Sequence, residues 1–223
     1  DPTPYSASGL RGTARRNFQQ LGAYRAGMID PQDESSQLVT MLVDAAPGLR
    51  VLDYCAGAGG KTLAIGAALA GEDSQLIAMD VRRAALEELR RRSSRAGVEV
   101  DICLIEDGPL PQELTRIRAD CVLVDAPCSG LGVLRRHPEH RWRLSSVETL
   151  PAEQGRILAR ASTLVRPGGT LVYATCSVLL EENEQVIDAF LSQHARFTQE
   201  HALRLAPHTD DTDGFYAAVL VAR

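Results

Sequence analysis

Two cysteines of the chain stand in similar surroundings, each just past an apolar run and each followed by serine. Cys128 lies in DCVLVDAPCSG and Cys176 lies in TLVYATCS. A thiolate is a strong nucleophile that can also leave again, so two thiols facing one cleft could form and then break a covalent bond to a substrate. A small buried hydrophobe is the ordinary role of a cysteine, and we expect it for Cys103 and Cys121, which lie inside apolar runs.

Acidic residues mark the ends of several predicted strands. Asp53, Asp80 and Asp125 each end an apolar run, and Asp107 follows the third run closely. One such aspartate alone would most often cap a helix. Ligands of open α/β sheets bind outside the carboxyl ends of the strands, so four acids in these positions predict a single cleft that they line together.

The glycine-rich turn CAGAGGKT, which begins at Cys55, fails two familiar nucleotide fingerprints. A phosphate-binding loop, G-x-x-x-x-G-K-[ST], requires glycine where Cys55 stands. A dinucleotide fingerprint, G-x-G-x-x-G, requires glycine where Thr62 stands. Flexible backbone beside Asp80 suits a nucleoside-like ligand whose two ribose hydroxyls donate to the carboxylate. S-adenosylmethionine fits that description, although the turn alone leaves other ligands open.

The elements that must position these residues alternate between apolar strands and amphipathic helices. Strands are predicted at 50–54, 75–80, 100–105, 120–125, 170–176, 196–203 and 214–222. A sheet covered by helices on both faces produces this alternation. We therefore predict an α/β fold, a Rossmann-like doubly wound sheet, in residues 31–223, preceded by a partly helical lead-in at residues 1–30.

The helices between the strands have definite predicted limits. They are expected at 61–70, 82–97, 147–165 and 181–194. A further helix is expected to begin at a cap formed by Asp33 or Ser35 and to stop at Pro47-Gly48. Pro167-Gly168-Gly169 is expected to stop the helix that precedes it. In the helix at 82–97 the apolar stripe predicts that the arginines lie on the opposite, solvated face.

Composition excludes several classes of protein. The net charge of -5 and pI near 5.6 argue against a chain that is basic all over, so contact with nucleic acid must come from local arginine patches. Neither a bilayer-spanning apolar stretch nor a signal peptide is recognisable, and we expect a cytoplasmic monomer without membrane contact. Five cysteines without a C-x-x-C pair disfavour disulfides and zinc. The first residue is not Met, so we expect a processed or truncated product.

Four motifs together resemble the NOL1/NOP2/Sun family of RNA cytosine-C5 methyltransferases. They are DYCAGAGGKT, DAPCSG with RRHPE, YATCS with EEN, and DGFYAA, and the arginine-rich GVLRRHPEHRW is most similar to the bacterial RsmB (Sun/Fmu) branch, which acts on small-subunit ribosomal RNA. The resemblance runs from about Gln32 to the C-terminus. It implies a class I fold of S-adenosyl-L-methionine-dependent methyltransferases, with a mostly parallel seven-stranded sheet whose last strand is antiparallel. It also implies RNA as partner and, at the N-terminus, either an RNA-binding domain that has been cut away or a short member of the family.

The resemblance also implies roles for individual residues. Cys176 would attack C6 of cytosine, Cys128 would assist product release, and Asp125 would bind the cytosine edge around N3 and N4 and border the cofactor. Asp80 would hold the ribose hydroxyls, and Asp107 would lie near the adenine amino group. The turn would wrap the methionine and ribose parts of the cofactor with Cys55, Ala56, Gly57, Ala58, Gly59, Gly60 and Lys61.

The chain departs from the family pattern at two places. Gly57 and Ala58 replace an alanine and a proline in the turn, which should make it more flexible. The family often has a basic residue where Ala85 stands, and Arg82 or Arg83 could serve instead. These two arginines are therefore left as alternatives.

The loop after Cys128 carries four arginines and a tryptophan. They are Arg135, Arg136, Arg141, Trp142 and Arg143. A solvated surface and a phosphate-binding rim with a stacking aromatic are both open interpretations. His137 and His140 are expected to be loop hydrogen-bonders, with no set of metal ligands around them.

Three other functions remain open from the residues alone. A methyltransferase acting on a small molecule or protein would leave the two strand-end cysteines without a use. A tRNA cytosine-C5 methyltransferase would use the same site residues. A non-catalytic RNA-binding factor for ribosome assembly would need only the fold.

Overall fold

The computed structural model describes residues 1–14, 17–71 and 73–223, with the side chains of 143–146 outside that description. Seven strands form one sheet in the order β3-β2-β1-β4-β5-β7-β6. The strands are β1 Arg50–Asp53, β2 Gln75–Asp80, β3 Asp101–Leu104, β4 Ala119–Asp125, β5 Val165–Thr175, β6 Phe197–Leu205 and β7 Phe215–Ala222. Strands β1 to β5 are parallel, and β7 runs antiparallel to both β5 and β6. The predicted seven-stranded, mostly parallel sheet with an antiparallel last strand is confirmed.

Helices connect the strands and cover the sheet. They are α1 Gly22–Arg25, α2 Glu34–Met41, α3 Gly60–Ala68, α4 Arg83–Ala96, α5 Leu150–Ser162, α6 Glu184–Gln193 and α7 Pro207–Asp210. Short 3-10 helices lie at Phe18–Gln20, Leu114–Arg116, Leu131–Val133, Pro138–Ser146 and Leu180–Glu182. In the described part of the chain, no helix combines the length and the apolar character that crossing a membrane requires.

The core lies on both faces of the sheet because neighbouring strand residues point to opposite sides. Leu52 packs on one face with Leu158 of α5 and Ile187 of α6. Its neighbour Val51 packs on the other face with Ile65 of α3. Burial of these apolar faces therefore fixes the strands whose carboxyl ends form the candidate site.

Two predicted helix limits differ from the structure. Asp33, not Ser35, caps α2 by accepting from the Ser35 backbone N–H at 3.0 Å, and the helix ends at Met41, before Pro47-Gly48. The helix before Pro167-Gly168-Gly169 ends at Ser162, and β5 already begins at Val165. The glycines instead accommodate a register shift against β4, since a Cβ at Gly169 would lie 2.8 Å from the Asp120 carbonyl oxygen.

The prediction that the arginines of α4 lie on a solvated face is wrong for two of them. Arg92 and Arg95 are mostly buried and both pair with Asp30, which precedes α2. Arg92 Nη1 also donates to the Ala58 carbonyl oxygen at 2.6 Å, and Arg95 lies over the ring of Tyr24 at 3.9 Å. These arginines therefore attach the segment that carries Tyr24 and Asp30 to the body of the sheet.

Candidate active site

A cavity of about 610 Å³ opens at the carboxyl ends of the strands. All four strand-end acids line it. Cys128 and Cys176, the two cysteines that are each followed by serine, line it as well. Among the residues predicted for the site, the lining includes Cys55, Ala56, Gly57, Ala58, Gly60, Lys61, Asp80, Asp107, Asp125, Cys128 and Cys176. Gly59 is the exception.

Gly59 shapes the turn without lining the cavity. It precedes α3 with a φ of 87°, and a Cβ there would lie 2.2 Å from Cδ1 of Leu89. Only glycine meets both constraints at low cost. Gly59 therefore lets the turn pack against α4, and its contact with the ligand stays a prediction.

Asp80 is buried and holds the turn in place. Its Oδ2 accepts from the Gly57 backbone N–H at 2.8 Å and from Arg82 Nη2 at 2.9 Å, while its Oδ1 accepts from Arg82 N at 2.8 Å and Nε at 3.0 Å. Burial raises the pKa of Asp80, but these hydrogen bonds outweigh it and lower the pKa below its ordinary value. Arg82, not Arg83, is thus the basic partner that the sequence left open.

Asp53 lies at the floor of the cavity with one oxygen unused. Thr62 Oγ1 donates to its Oδ2 at 2.6 Å, whereas Oδ1 is buried and has no partner among the described residues. Burial raises the pKa of Asp53 to about 7. A ligand cation placed beside Oδ1 would favour the ionised carboxylate. Asp53 therefore lines the cavity with the other three strand-end acids, although the resemblance assigned it no role.

Lys61 and Asp125 form an ion pair between the turn and the end of β4. The Nζ to Oδ2 distance is 2.6 Å, and the ammonium also lies 5.0 Å from the ring centroid of Phe215. The lysine side chain is 9% exposed and that of Asp125 is 31% exposed. Asp125 therefore presents part of its carboxylate to the cavity while Lys61 fixes its direction. Sequence reasoning named both residues but did not pair them.

The two thiols are in contact, with 3.3 Å between the Sγ atoms of Cys128 and Cys176. The hydrogen bond from Cys128 lowers the pKa of Cys176. The same hydrogen bond and burial hold the pKa of Cys128 well above its ordinary value. Of the two thiols, Cys176 is therefore the one whose ionised form is the more favoured.

The remaining three cysteines are not poised for reaction. Burial raises the pKa of Cys55 and of Cys103, and that of Cys121 to about 12. Cys55 begins the glycine-rich turn and lines the cavity as a neutral thiol. These thiols serve as packing groups.

Asp107 follows β3 and lines the cavity at the end opposite to β4 and β5, the strands that precede the two thiols. It is exposed and paired with Arg156 of α5, whose hydrogen bond lowers the pKa of the carboxyl group. Tyr54 and Arg160 line the same region. Arg156 and Arg160 were not among the residues predicted from the sequence, because a helix pattern gives no sign that its polar face borders a cavity.

Carboxylate partners engage both Arg135 and Arg136, and the phosphate-binding rim stays a prediction for their exposed parts. Both donate to Asp213, whose side chain is 0% exposed, and Arg135 also donates to Asp33 at 3.1 Å. Since their guanidinium groups already have carboxylate partners, the two arginines anchor the loop after Cys128. The side chain of Arg143 lies outside the described residues.

Arg141 and Trp142 remain at the surface of this loop. Trp142 is 77% exposed, and the Arg141 guanidinium lies 4.9 Å from its ring centroid. The stacking interpretation therefore stays open for these two residues.

His137 and His140 do have a third potential metal ligand beside them, contrary to the sequence prediction. The ligand atoms of His137, Glu139 and His140 lie within 4.8 Å of one another. His137 Nδ1 and Glu139 Oε1 are 3.2 Å apart and form a hydrogen bond at the surface. The pair is thus a loop hydrogen bond, as predicted for His137.

We predict that Asp213→Ala lowers the free energy of unfolding by about 2 kcal/mol, because three charge-assisted hydrogen bonds are lost, one from Arg135 and two from Arg136. Urea denaturation of the purified protein would measure the change. Asp211→Asn is the matched control, since Asp211 pairs with the same Arg135 but is 78% exposed, asparagine tolerates its left-handed φ of 53°, and an exposed pair contributes about 0.5 kcal/mol. Equal losses in the two variants would contradict the anchoring role of Asp213.

Comparison with known proteins agrees with this geometry. A family model described as 16S rRNA methyltransferase RsmB/F matches residues 40–221. Ribosomal RNA small subunit methyltransferase B of Pectobacterium atrosepticum is 36% identical over 212 residues, which cover 91% of this chain and 49% of that protein. The chain thus spans about half the length of the curated relatives it matches.

Two solved structures from Pyrococcus horikoshii are also similar. NSun6 with SFG is 27% identical with a TM-score of 0.81, covering 93% of this chain and 56% of that one. A methyltransferase homolog protein is 28% identical with a TM-score of 0.80, covering 94% of this chain and 73% of that one. The fold is that of the S-adenosylmethionine-dependent methyltransferases, and the chain belongs to the 16S rRNA methyltransferase RsmB/F family.

Proposed function

We propose that the protein transfers a methyl group from S-adenosylmethionine to C5 of a cytosine in ribosomal RNA, through a covalent bond between Cys176 and C6. The observation that carries the proposal is the contact of two thiols, 3.3 Å apart, in the cavity that the glycine turn borders. Methyl transfer to oxygen or nitrogen would require no thiol. A pair of thiols suits the chemistry of an unreactive carbon.

The cavity fits the cofactor. Its volume of about 610 Å³ lies within the range that holds small-molecule ligands, roughly 300–1,000 Å³. The unpartnered Oδ1 of Asp53 suits the ammonium of the methionine part. Gly57 has a φ of 56° and exposes backbone to the cavity without a side chain. The cofactor supplies an electrophilic methyl group when it is bound.

Cys176 starts the reaction as the nucleophile. Cytosine C5 is weakly nucleophilic, and addition of a thiolate at C6 makes it electron-rich. Cys176 meets this requirement because the hydrogen bond from Cys128 stabilises its thiolate. After C5 has gained the methyl group it gives its proton to water, and the electron pair of that C–H bond restores the C5–C6 double bond as the Cys176 sulfur leaves as a thiolate. Cys128 assists this release next to the departing sulfur.

Asp125 binds the base. Its partly exposed carboxylate can accept from the N4 amino group of cytosine, and it faces the developing charge around N3. Lys61 holds the direction of the carboxylate through the 2.6 Å ion pair. The target base must be unstacked to reach the thiols, which favours single-stranded or loop RNA. The exposed Trp142 and Arg141 offer a stacking surface for such a strand.

Release of tritium tests the reaction class. RNA that carries tritium at C5 of cytosine should release one tritium for each methyl group transferred, because the C5 proton must leave. A labelled small-subunit ribosomal RNA and a labelled tRNA, compared side by side with labelled free nucleotides, separate the candidate substrates. Methylation of RNA without tritium release would refute C5 chemistry. Binding of both RNA and cofactor with no methylation in any sample would favour a non-catalytic assembly factor.

A further inference from the structure

Glu182 is a fully buried carboxylate that contacts both cysteine loops. Its Oε1 accepts from the Ser129 backbone N–H at 2.8 Å and from Gln154 Nε2 at 3.0 Å. Its Oε2 accepts from Ser129 Oγ at 2.5 Å and from Ser177 Oγ. A carboxylate has about four acceptor positions, so these four donors use all of them.

The two serines are the residues that directly follow the two thiol-bearing cysteines. Ser129 follows Cys128 and Ser177 follows Cys176. A single side chain therefore connects the positions immediately after both thiols. Because peptide geometry is stiff, holding these serines restricts how far the adjacent Sγ atoms can separate.

Neighbouring side chains extend this attachment on each side. Gln154, itself fully buried, donates to the Pro127 carbonyl oxygen at 2.9 Å, so the residues before and after Cys128 are both held. On the other side, Asn183 Nδ2 donates to the Ser177 carbonyl oxygen at 3.1 Å and Asn183 Oδ1 accepts from Thr175 Oγ1 at 2.5 Å. The residues before and after Cys176 are thus held as well.

All the donors recorded for Glu182 in the described part of the chain are neutral groups. Burying a carboxylate without a cation beside it costs free energy of folding. A contribution to stability therefore does not explain why a carboxylate is present at position 182. Its four directed hydrogen bonds, in contrast, specify geometry.

We propose that Glu182 is a positioning residue that keeps the thiols of Cys128 and Cys176 within hydrogen-bonding distance. The inference rests on the proposed function and deepens it, since it explains how the nucleophile obtains its partner. The thiol pair has no covalent link, and the 3.3 Å contact depends on the two loops keeping their relative position. One loop follows β4 and the other follows β5. Strand pairing fixes these two strands only up to their ends, before the loops begin.

Alkylation of Cys176 by iodoacetamide, followed by mass spectrometry over a range of pH, tests this role without RNA or cofactor. The thiolate is the reactive form, so the pH midpoint of alkylation reports the contact between the two thiols. In Glu182→Ala the midpoint is expected to rise by about one pH unit and the rate at pH 7 to fall about tenfold. Methylation should lose about 10- to 100-fold in kcat, with KM for the cofactor unchanged.

Glu182→Gln is the conservative variant that distinguishes geometry from charge. The amide oxygen can keep the two N–H donors of Oε1, and the amide nitrogen can donate to the serine hydroxyls, which are able to accept. We expect its alkylation rate at pH 7 and its kcat to stay within about threefold of the wild-type values, so its alkylation midpoint should change little. Glu181→Ala, which removes the exposed neighbouring carboxylate, is the matched control and should behave like the wild type.

Ser129→Ala guards against a Glu182→Ala variant that does not fold, because it removes only one hydroxyl donor. It should shift the alkylation midpoint in the same direction by a smaller amount. The proposal is overturned if a folded Glu182→Ala or Ser129→Ala variant alkylates as the wild type does, or if Glu182→Gln is as impaired as Glu182→Ala. A shifted midpoint in a protein whose wild type methylates no cytosine would leave the positioning role standing and refute the proposed function.

Discussion

Replacing Cys176 with alanine is expected to lower methyl transfer to RNA by about 10⁴-fold or more, because the reaction loses its only nucleophile. Single-turnover transfer from labelled S-adenosylmethionine would measure the loss. The same variant should form no covalent adduct with RNA that contains 5-fluorocytosine. In that RNA fluorine replaces the C5 proton, so the wild-type enzyme cannot complete release and stays attached. The adduct is read on a denaturing gel.

Cys128→Ser is the matched control for Cys176→Ala, since it changes the other thiol of the same pair. It should still form the adduct, and it should also become trapped on ordinary RNA, because release rather than attack is impaired. The thermal stability of both variants should be compared, as both side chains are partly buried. An adduct that survives Cys176→Ala and disappears in Cys128→Ala would reverse the assigned roles.

Replacing Asp80 with asparagine is expected to weaken cofactor binding about 100-fold, because the charge-assisted hydrogen bonds that we propose to the ribose and those observed to the turn are both affected. All four acceptor positions of Asp80 are used by Gly57 and Arg82 in the structure. In the proposed complex the ribose hydroxyls therefore displace the Arg82 guanidinium, which is two-thirds exposed. Isothermal titration of S-adenosylmethionine would measure the affinity.

Asp101→Asn provides the control for this loss. Asp101 is an exposed carboxylate at the opposite, amino end of β3, and it accepts from Gln75 instead of lining the cavity. Its replacement should leave the affinity unchanged. If Asp80→Asn bound the cofactor as tightly as Asp101→Asn, the assignment of the ribose site to Asp80 would be wrong.

The fold could be predicted because apolar periodicity is a local property of the sequence. The alternation of strands and helices gave the seven strands, and the cap at Asp33 followed from residue type and position. Pro167-Gly168-Gly169 was misassigned because the same residues that stop helices also permit irregular strands, and only pairing with β4 decides between them.

The site could be predicted only as far as its motifs reached. Strand-end acids and thiols were placed correctly around one cavity because parallel strands bring their carboxyl ends together. The buried partners were not predictable. Arg135 has nothing in its own segment to indicate Asp213, 78 residues away, and Glu182 shows no sign in the sequence that it contacts Ser129, 53 residues before it.

Asp213 also has a kinetic consequence. Its ion pairs to Arg135 and Arg136, and the hydrogen bond from its backbone N–H to Asp33, join positions 77 to 180 residues apart. Contacts of high sequence separation form slowly, because the entropy of closing the intervening chain is lost before they contribute. Asp213 lies two residues before β7, so we expect the loop that follows Cys128 to acquire its final contacts only when β7 takes its place beside β5. The candidate site is therefore completed late in folding, after most of the sheet has formed.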